Sequence, residues 1–287
     1  MMWPTAYASR FPEVSYGEEG SGSGLNIVSL GYSEFVFYLK DDGNYPIGMI
    51  NYVSTPTGHY TPAQLIADIA KVHDNKGKVK LILGGVFKMT SHIYSTEKVE
   101  MFAFTLTKVL EHYKFDGFDI DLSASFPLPS LQLHLIQKLR EALPLSVELS
   151  YTTRIGEKYE YEAFQVIHKA SEYLTSANIM IDSQTFPLMK DTLQTLYDQG
   201  LPASQIVLGI QFSCSNLHPD FPSLEQAKTI SDYIKEHNLA GVKLATLGKD
   251  SSKPSFLECE DLVGYPDATF TNLFAASFKH VEGAGSS

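Results

Sequence analysis

The sequence predicts a single-domain α/β protein, a (β/α)8 (TIM) barrel. Three observations predict it. Seven apolar, β-rich runs alternate with segments of helical periodicity, the pattern of repeated βα units. Most of these runs are nearly continuous in apolar residues, as parallel strands covered on both faces must be. The alternation extends through nearly all of the 287 residues, a length that suits one such barrel better than an open sheet.

In chain order, strands are expected over residues 25–32 (LNIVSLGY), 78–85 (KVKLILGG), 115–122 (FDGFDIDL), 146–153 (SVELSYTT), 177–186 (ANIMIDSQTF), 205–212 (QIVLGIQF) and 241–247 (GVKLATL). Thr61-Pro62-Ala63-Gln64 reads as a capping box with proline at the first helical position, opening a helix to about Lys76. Ser223-Leu224-Glu225-Gln226 opens another, to about Asn238. Apolar spacing of three and four residues fits helices over 96–113, 129–143, 160–173, 188–199 and 267–279. Gly200, Gly209 and Gly241 stand where a helix hands over to a strand. The eighth strand is the weakest signal. Residues 2–9 are taken as a short first strand, with a degenerate connection through residues 10–24. The competing choice, 46–53, leaves too little chain after residue 32 for a crossover helix. Residues 33–60 therefore read as an excursion after the second strand, of hairpin form. Residues 20–24 (GSGSG) fit a linker or a plain surface loop, and 283–287 a frayed end. No repeat or second domain is visible, so residues 1–287 form one domain.

Composition narrows the function classes. Apolar residues make up 44% of the chain, and 22 Lys plus Arg against 33 Asp plus Glu leave a net charge of −11. Such a surface repels nucleic-acid phosphates and anionic lipid, so neither nucleic acid nor membrane is expected as a partner. No uninterrupted apolar stretch reaches bilayer-spanning length. Met1-Met2-Trp3-Pro4-Thr5 lacks the basic head and apolar run of a signal peptide, and a cytoplasmic location is expected. Cys214 and Cys259 supply neither a disulfide framework nor a zinc site. The nine histidines form no H-x-H or H-E-x-x-H arrangement, and no glycine-rich phosphate loop precedes a helix. No metal or cofactor is expected.

The most informative stretch is Phe115-Asp116-Gly117-Phe118-Asp119-Ile120-Asp121-Leu122-Ser123. Side chains alternate along a strand, so Asp119, Asp121 and Ser123 share one face and Phe118, Ile120 and Leu122 the other. In a barrel the first face looks into the lumen and rises to the carboxyl-terminal rim, where active sites are built. Two buried carboxylates two residues apart do not both ionise cheaply, so one pKa is expected to rise unless hydrogen bonds compensate.

This run resembles the fourth-strand motif of glycoside hydrolase family 18, the chitinase and chitinase-like barrels, written D-G-x-D-x-D-x-E. Asp116, Gly117, Asp119 and Asp121 match it in place. Gly84-Gly85 resembles the family's third-strand S-x-G-G, with Ile82 at the serine. The resemblance implies a barrel in which the motif's final glutamic acid protonates the leaving oxygen and the substrate's own N-acetyl carbonyl is the nucleophile. Here that position is Ser123. A serine hydroxyl is no proton donor near neutral pH, and losing general acid catalysis typically costs about 10²–10⁴-fold. Aligning Gln184-Thr185-Phe186-Pro187 with the family's sixth-strand motif puts Phe186 at a tyrosine that holds the N-acetyl group. On the eighth strand Ala245 takes the place of a subsite tryptophan, and the single tryptophan is Trp3.

No confident catalytic residue follows from the degenerate motif Asp116, Asp119, Asp121 and Ser123. The ligand-binding candidates are Asp121, Tyr32, Gln184 and Phe186. Glu148, Asp182 and Glu34 are weighed as replacement acids, Glu148 fitting better as an interior carboxylate. Cys214, four residues from His218, lacks the turn that would make it a nucleophile. Aromatics from Tyr32 to Tyr60 offer a surface for sugar or protein. The resemblance thus implies a catalytically inactive chitinase-like protein that binds N-acetylglucosamine-type carbohydrate, such as a chito-oligosaccharide, or a protein partner. The alternatives are a divergent family 18 hydrolase with a relocated acid, and an inhibitor, scaffold or storage protein on the same barrel.

Overall fold

The computed structural model describes residues 27–30, 33–36, 49–52, 62–74, 76–84, 95–121, 128–156, 160–182, 185–211, 213–215, 218–220, 223–245 and 269–278. Seven strands lie side by side: β1 (Ile27–Leu30), β4 (Lys78–Gly84), β5 (Gly117–Asp121), β6 (Glu148–Arg154), β7 (Ser176–Ile181), β8 (Ile206–Gln211) and β11 (Gly241–Ala245). Every pairing in this row is parallel. Helices α1 (Pro62–Asp74), α2 (Thr96–Tyr113), α3 (Pro129–Ala142), α4 (Glu160–Ala170), α5 (Met189–Asp198) and α6 (Leu224–Glu236) fall between them, and α7 (Thr269–Phe278) follows β11. This is the (β/α)8 barrel expected.

All seven expected strands are present; β6 runs one residue past its expected end, to Arg154, β7 starts one residue early, at Ser176, and the largest correction is at the end of β7. It stops at Ile181, and residues 185–188 turn instead into a 3₁₀ helix, Phe186–Leu188. Gly209 also departs from expectation, lying inside β8 rather than at a handover. Its reason is packing: a Cβ there would sit 2.0 Å from the Met180 sulfur on β7. The excursion after β1 contains a hairpin, β2 (Ser33–Val36) paired antiparallel with β3 (Met49–Tyr52). Residues 2–9, the expected first strand, lie outside the described residues, as do Thr61, 10–24 and 283–287. A second hairpin, β9 (Ser213–Ser215) with β10 (His218–Asp220), sets Cys214 opposite Pro219 and His218 opposite Ser215.

Two shells of opposite character follow from strand alternation. Outward-facing Val79, Leu81, Leu83, Phe118, Ile120, Leu149, Tyr151, Ile179, Leu208 and Ile210 are fully buried against the helices. They meet Leu106 and Val109 of α2, Leu135, Ile136 and Leu139 of α3, Ile167 of α4, and Leu193 and Leu196 of α5 in one apolar core. The inner shell is mixed, with apolar Ile82 and Met180 beside a polar set. Lys80, Asp119, Ser150, Thr152 and Asn178 are all buried there.

The inner shell also shows that the row is curled. β5 and β11 are four positions apart, which in a flat sheet means about 19 Å at roughly 4.8 Å per strand. The Lys243 ammonium on β11 nonetheless hydrogen-bonds the Asp119 carboxylate on β5. Only a sheet bent round on itself allows that contact.

Candidate functional site

The register builds the site. β5 sets Asp119 beside Ser150 of β6, and β6 in turn sets Thr152 beside Asn178 of β7. Asp119 Oδ1 accepts from Ser150 Oγ at 2.9 Å, Thr152 Oγ1 at 2.8 Å and Asn178 Nδ2 at 3.0 Å. Its Oδ2 accepts from Lys243 Nζ, which also donates to Thr152 Oγ1 at 3.1 Å. Lys80 Nζ, itself buried, donates to Ser150 Oγ at 3.0 Å, and Asn178 Nδ2 donates to Thr152 Oγ1 at 2.9 Å. Each hydroxyl has one proton to give. Ser150 and Thr152 both give theirs to Asp119, and their oxygens receive Lys80, Lys243 and Asn178.

Burial alone would push the Asp119 carboxyl up, but the attraction of Lys243 and then Lys80, with hydrogen bonds from Lys243 and Thr152, holds it below the usual carboxylate range. The expected rise is therefore corrected for this residue. The compensation comes from two ammonium groups as well as from hydrogen bonds. Lys80 shifts the other way for its kind. Burial lowers its pKa and the nearby Lys243 adds to that, against the pull of Asp119.

Asp121, the last residue of β5, is buried at the mouth end of the same face. Its two oxygens accept from Arg154 Nη1 and Nη2, both at 2.9 Å. Arg154 is the last residue of β6, two positions above Thr152 on the inward face. The fork is bidentate and partly exposed, 21% on the arginine side chain against 8% on the aspartate. What stands over the Asp121 carboxylate is a guanidinium.

Asp116 does a different job, below the strand. Its Oδ2 accepts from the Val79 backbone N–H at 2.7 Å and lies 2.8 Å from His73 Nε2 near the end of α1. Its own N–H donates to the Val79 carbonyl, and its carbonyl accepts from Glu148 N–H. The first acid of the motif thus ties α1, β4, β5 and β6 together. Gly117 beside it is required by space, because a Cβ would lie 2.0 Å from the Glu148 carbonyl oxygen.

The other candidates fall as follows. Glu148, the first residue of β6, accepts from Lys78 Nζ at 2.6 Å at the end of the strand opposite Arg154. Asp182 caps the turn after β7, its Oδ1 accepting from Thr185 N–H at 2.7 Å and Thr185 Oγ1 at 2.8 Å. Phe186 is not on a strand; it is half-buried on the 3₁₀ helix and packs on the apolar core. Ile82 lies on β4 opposite Asp119, and Ala245 ends β11 opposite Gln211. Ser123, Tyr32 and Gln184 lie outside the described residues, and Glu34 is placed on β2 by its backbone.

Sequence reasoning missed the three cations Lys80, Lys243 and Arg154. A signal was there. Each is a basic residue whose parity along its strand opposes the fully apolar positions: Lys80 against Val79 and Leu81, Lys243 against Val242 and Leu244, Arg154 with Ser150 and Thr152.

The class that the architecture defines is a parallel (β/α)8 barrel, here with two aspartates of one strand on its inner face. The pattern for glycosyl hydrolases family 18 matches residues 34–220, and the chain belongs to that family. Among solved structures it is similar to active domain 2 of a thermostable chitinase from Pyrococcus furiosus, studied as catalytic-site mutants with chito-oligosaccharides. The TM-score is 0.66 at 15% identity, covering 92% of this chain and 89% of that one. It is also similar to a chitinase from Rhizomucor miehei (TM-score 0.64, 16% identity, 88% and 93% covered). A family 18 chitinase from Pseudoalteromonas aurantia gives 0.60 at 15%, with 77% and 87% covered. No curated protein sequence is similar enough to count as a relative.

Proposed function

We propose that this protein is a non-hydrolytic, chitinase-like protein that binds N-acetylglucosamine-type carbohydrate at the barrel mouth. The observation that carries the reading is the bidentate Arg154–Asp121 pair. The motif acid nearest the proton-donor position is neutralised by an internal guanidinium, and the donor position itself holds Ser123. Neither Glu148, paired with Lys78, nor Asp182, committed to Thr185, supports a relocated acid. Family membership and the chitinase neighbours, one of them studied with chito-oligosaccharides, support the choice of ligand class.

Two measurements on the purified chain test it. With a fluorogenic chito-oligosaccharide, release should stay at the buffer rate. In calorimetric titration with chito-oligosaccharides, saturable heat is expected. Turnover that disappears in Asp121→Asn would overturn the non-hydrolytic half of the proposal, and a silent titration the carbohydrate half.

A further inference from the structure

Asp119 and Asp121 differ in what holds them. Asp119 is fully buried and receives four donors from three other strands, β6, β7 and β11. No ligand can take its place in that network without dismantling the barrel interior. Asp121 is held by one side chain, which reaches it from the end of a strand and is itself part-exposed. A long side chain at a strand end can change rotamer without moving backbone. Both Asp121 oxygens accept from that one guanidinium, so no other donor can use them while the fork is closed.

We propose that Arg154 is the specificity-determining residue of the mouth: an internal occupant of the Asp121 carboxylate that a neutral sugar bearing N–H and O–H donors must displace in order to bind. The inference rests on the carbohydrate reading above and adds a gate to it. Apparent affinity for such a sugar is then the intrinsic affinity reduced by the fraction of molecules in which the fork is open. Weakening the fork should tighten binding, the reverse of what deleting a ligand contact does.

The test is calorimetric titration of tri-N-acetylchitotriose into the wild-type chain, Arg154→Met and Arg154→Lys. Lysine keeps a counter-charge for Asp121, so the barrel is not left with an unpaired buried carboxylate, but it makes a point contact and not a fork. The expected result is roughly tenfold tighter binding by the methionine variant and a smaller gain with lysine. Circular dichroism checks that each variant is folded, and if the methionine variant is not, the lysine variant decides alone. A folded variant that binds as the wild type does, or more weakly, overturns the gate while leaving the carbohydrate reading standing. Silence from the wild type and every folded variant overturns both. Binding seen only in the variants supports the gate and overturns the carbohydrate reading for the unmodified chain.

Discussion

At the scale of single residues, the charge on Asp119 is the feature with measurable consequences. Its carboxylate balances Lys243 and Lys80 inside the barrel, so Asp119→Asn leaves the buried Lys80 and part-buried Lys243 ammonium groups without their counter-charge. The cost should be about 3–5 kcal/mol of unfolding free energy, read from a urea midpoint at neutral pH. The pH dependence has a definite sign. Because the folded carboxyl sits below its ordinary value, the unfolded chain takes up the proton first as pH falls. The stabilisation is complete above the unfolded pKa, and it is lost from about pH 4 downward through the folded pKa. Urea midpoints between about pH 6 and 3 should therefore fall more steeply for the wild type than for Asp119→Asn. Equal slopes would mean that Asp119 is not the titrating group. The sequence made Asp119 legible because two acids on one face of an apolar strand have no solvent to face. It did not reveal the partners, because a lone lysine in a strand reads as an edge or an end until the neighbouring strands are in place.

At the scale of elements, local chemistry and close packing decide the boundaries. Ser223 Oγ accepts from Gln226 N–H at 3.1 Å, and the Gln226 side chain accepts from Ser223 N–H at 2.9 Å, the reciprocal cap read from four residues. Ser223→Ala should cost about 1 kcal/mol, seen as a lower urea midpoint with no change of slope. Gly117→Ala is a harsher change, since its Cβ would meet backbone and not a movable side chain. A loss of about 3 kcal/mol or more is expected, with a corresponding drop in thermal midpoint. Helix α2 was legible over 96–113 from its apolar spacing, and in the structure the Ser95 cap at its start and Lys114, in a left-handed conformation, at its end fix the same bounds. The end of β7 was not. Asp182-Ser183-Gln184-Thr185 carries no glycine or proline to announce a turn, and the strand is closed by the Asp182–Thr185 hydrogen bonds, which depend on side-chain geometry and not on apolar pattern.

For the whole molecule, the barrel was legible from alternation alone, whereas its inner shell required knowing which strands meet across the lumen. That shell bears on what a repaired motif would do. Restoring a carboxylic acid with Ser123→Glu supplies a proton donor, but the sugar must still displace Arg154 from Asp121, so at low substrate the variant should hydrolyse a fluorogenic chito-oligosaccharide about tenfold more slowly than the same change combined with Arg154→Met. Equal rates for the two variants would show that the guanidinium is no obstacle. The tie between Lys243 and Asp119 spans 124 residues of chain and joins the third strand of the row to the seventh. A nascent polypeptide emerging from the ribosome has Asp119 and Lys80 in hand long before Lys243 exists. The electrical balance of the bore is therefore completed only after the 124 residues that separate the two have been made, so the strands from β5 to β8 precede the group that closes it.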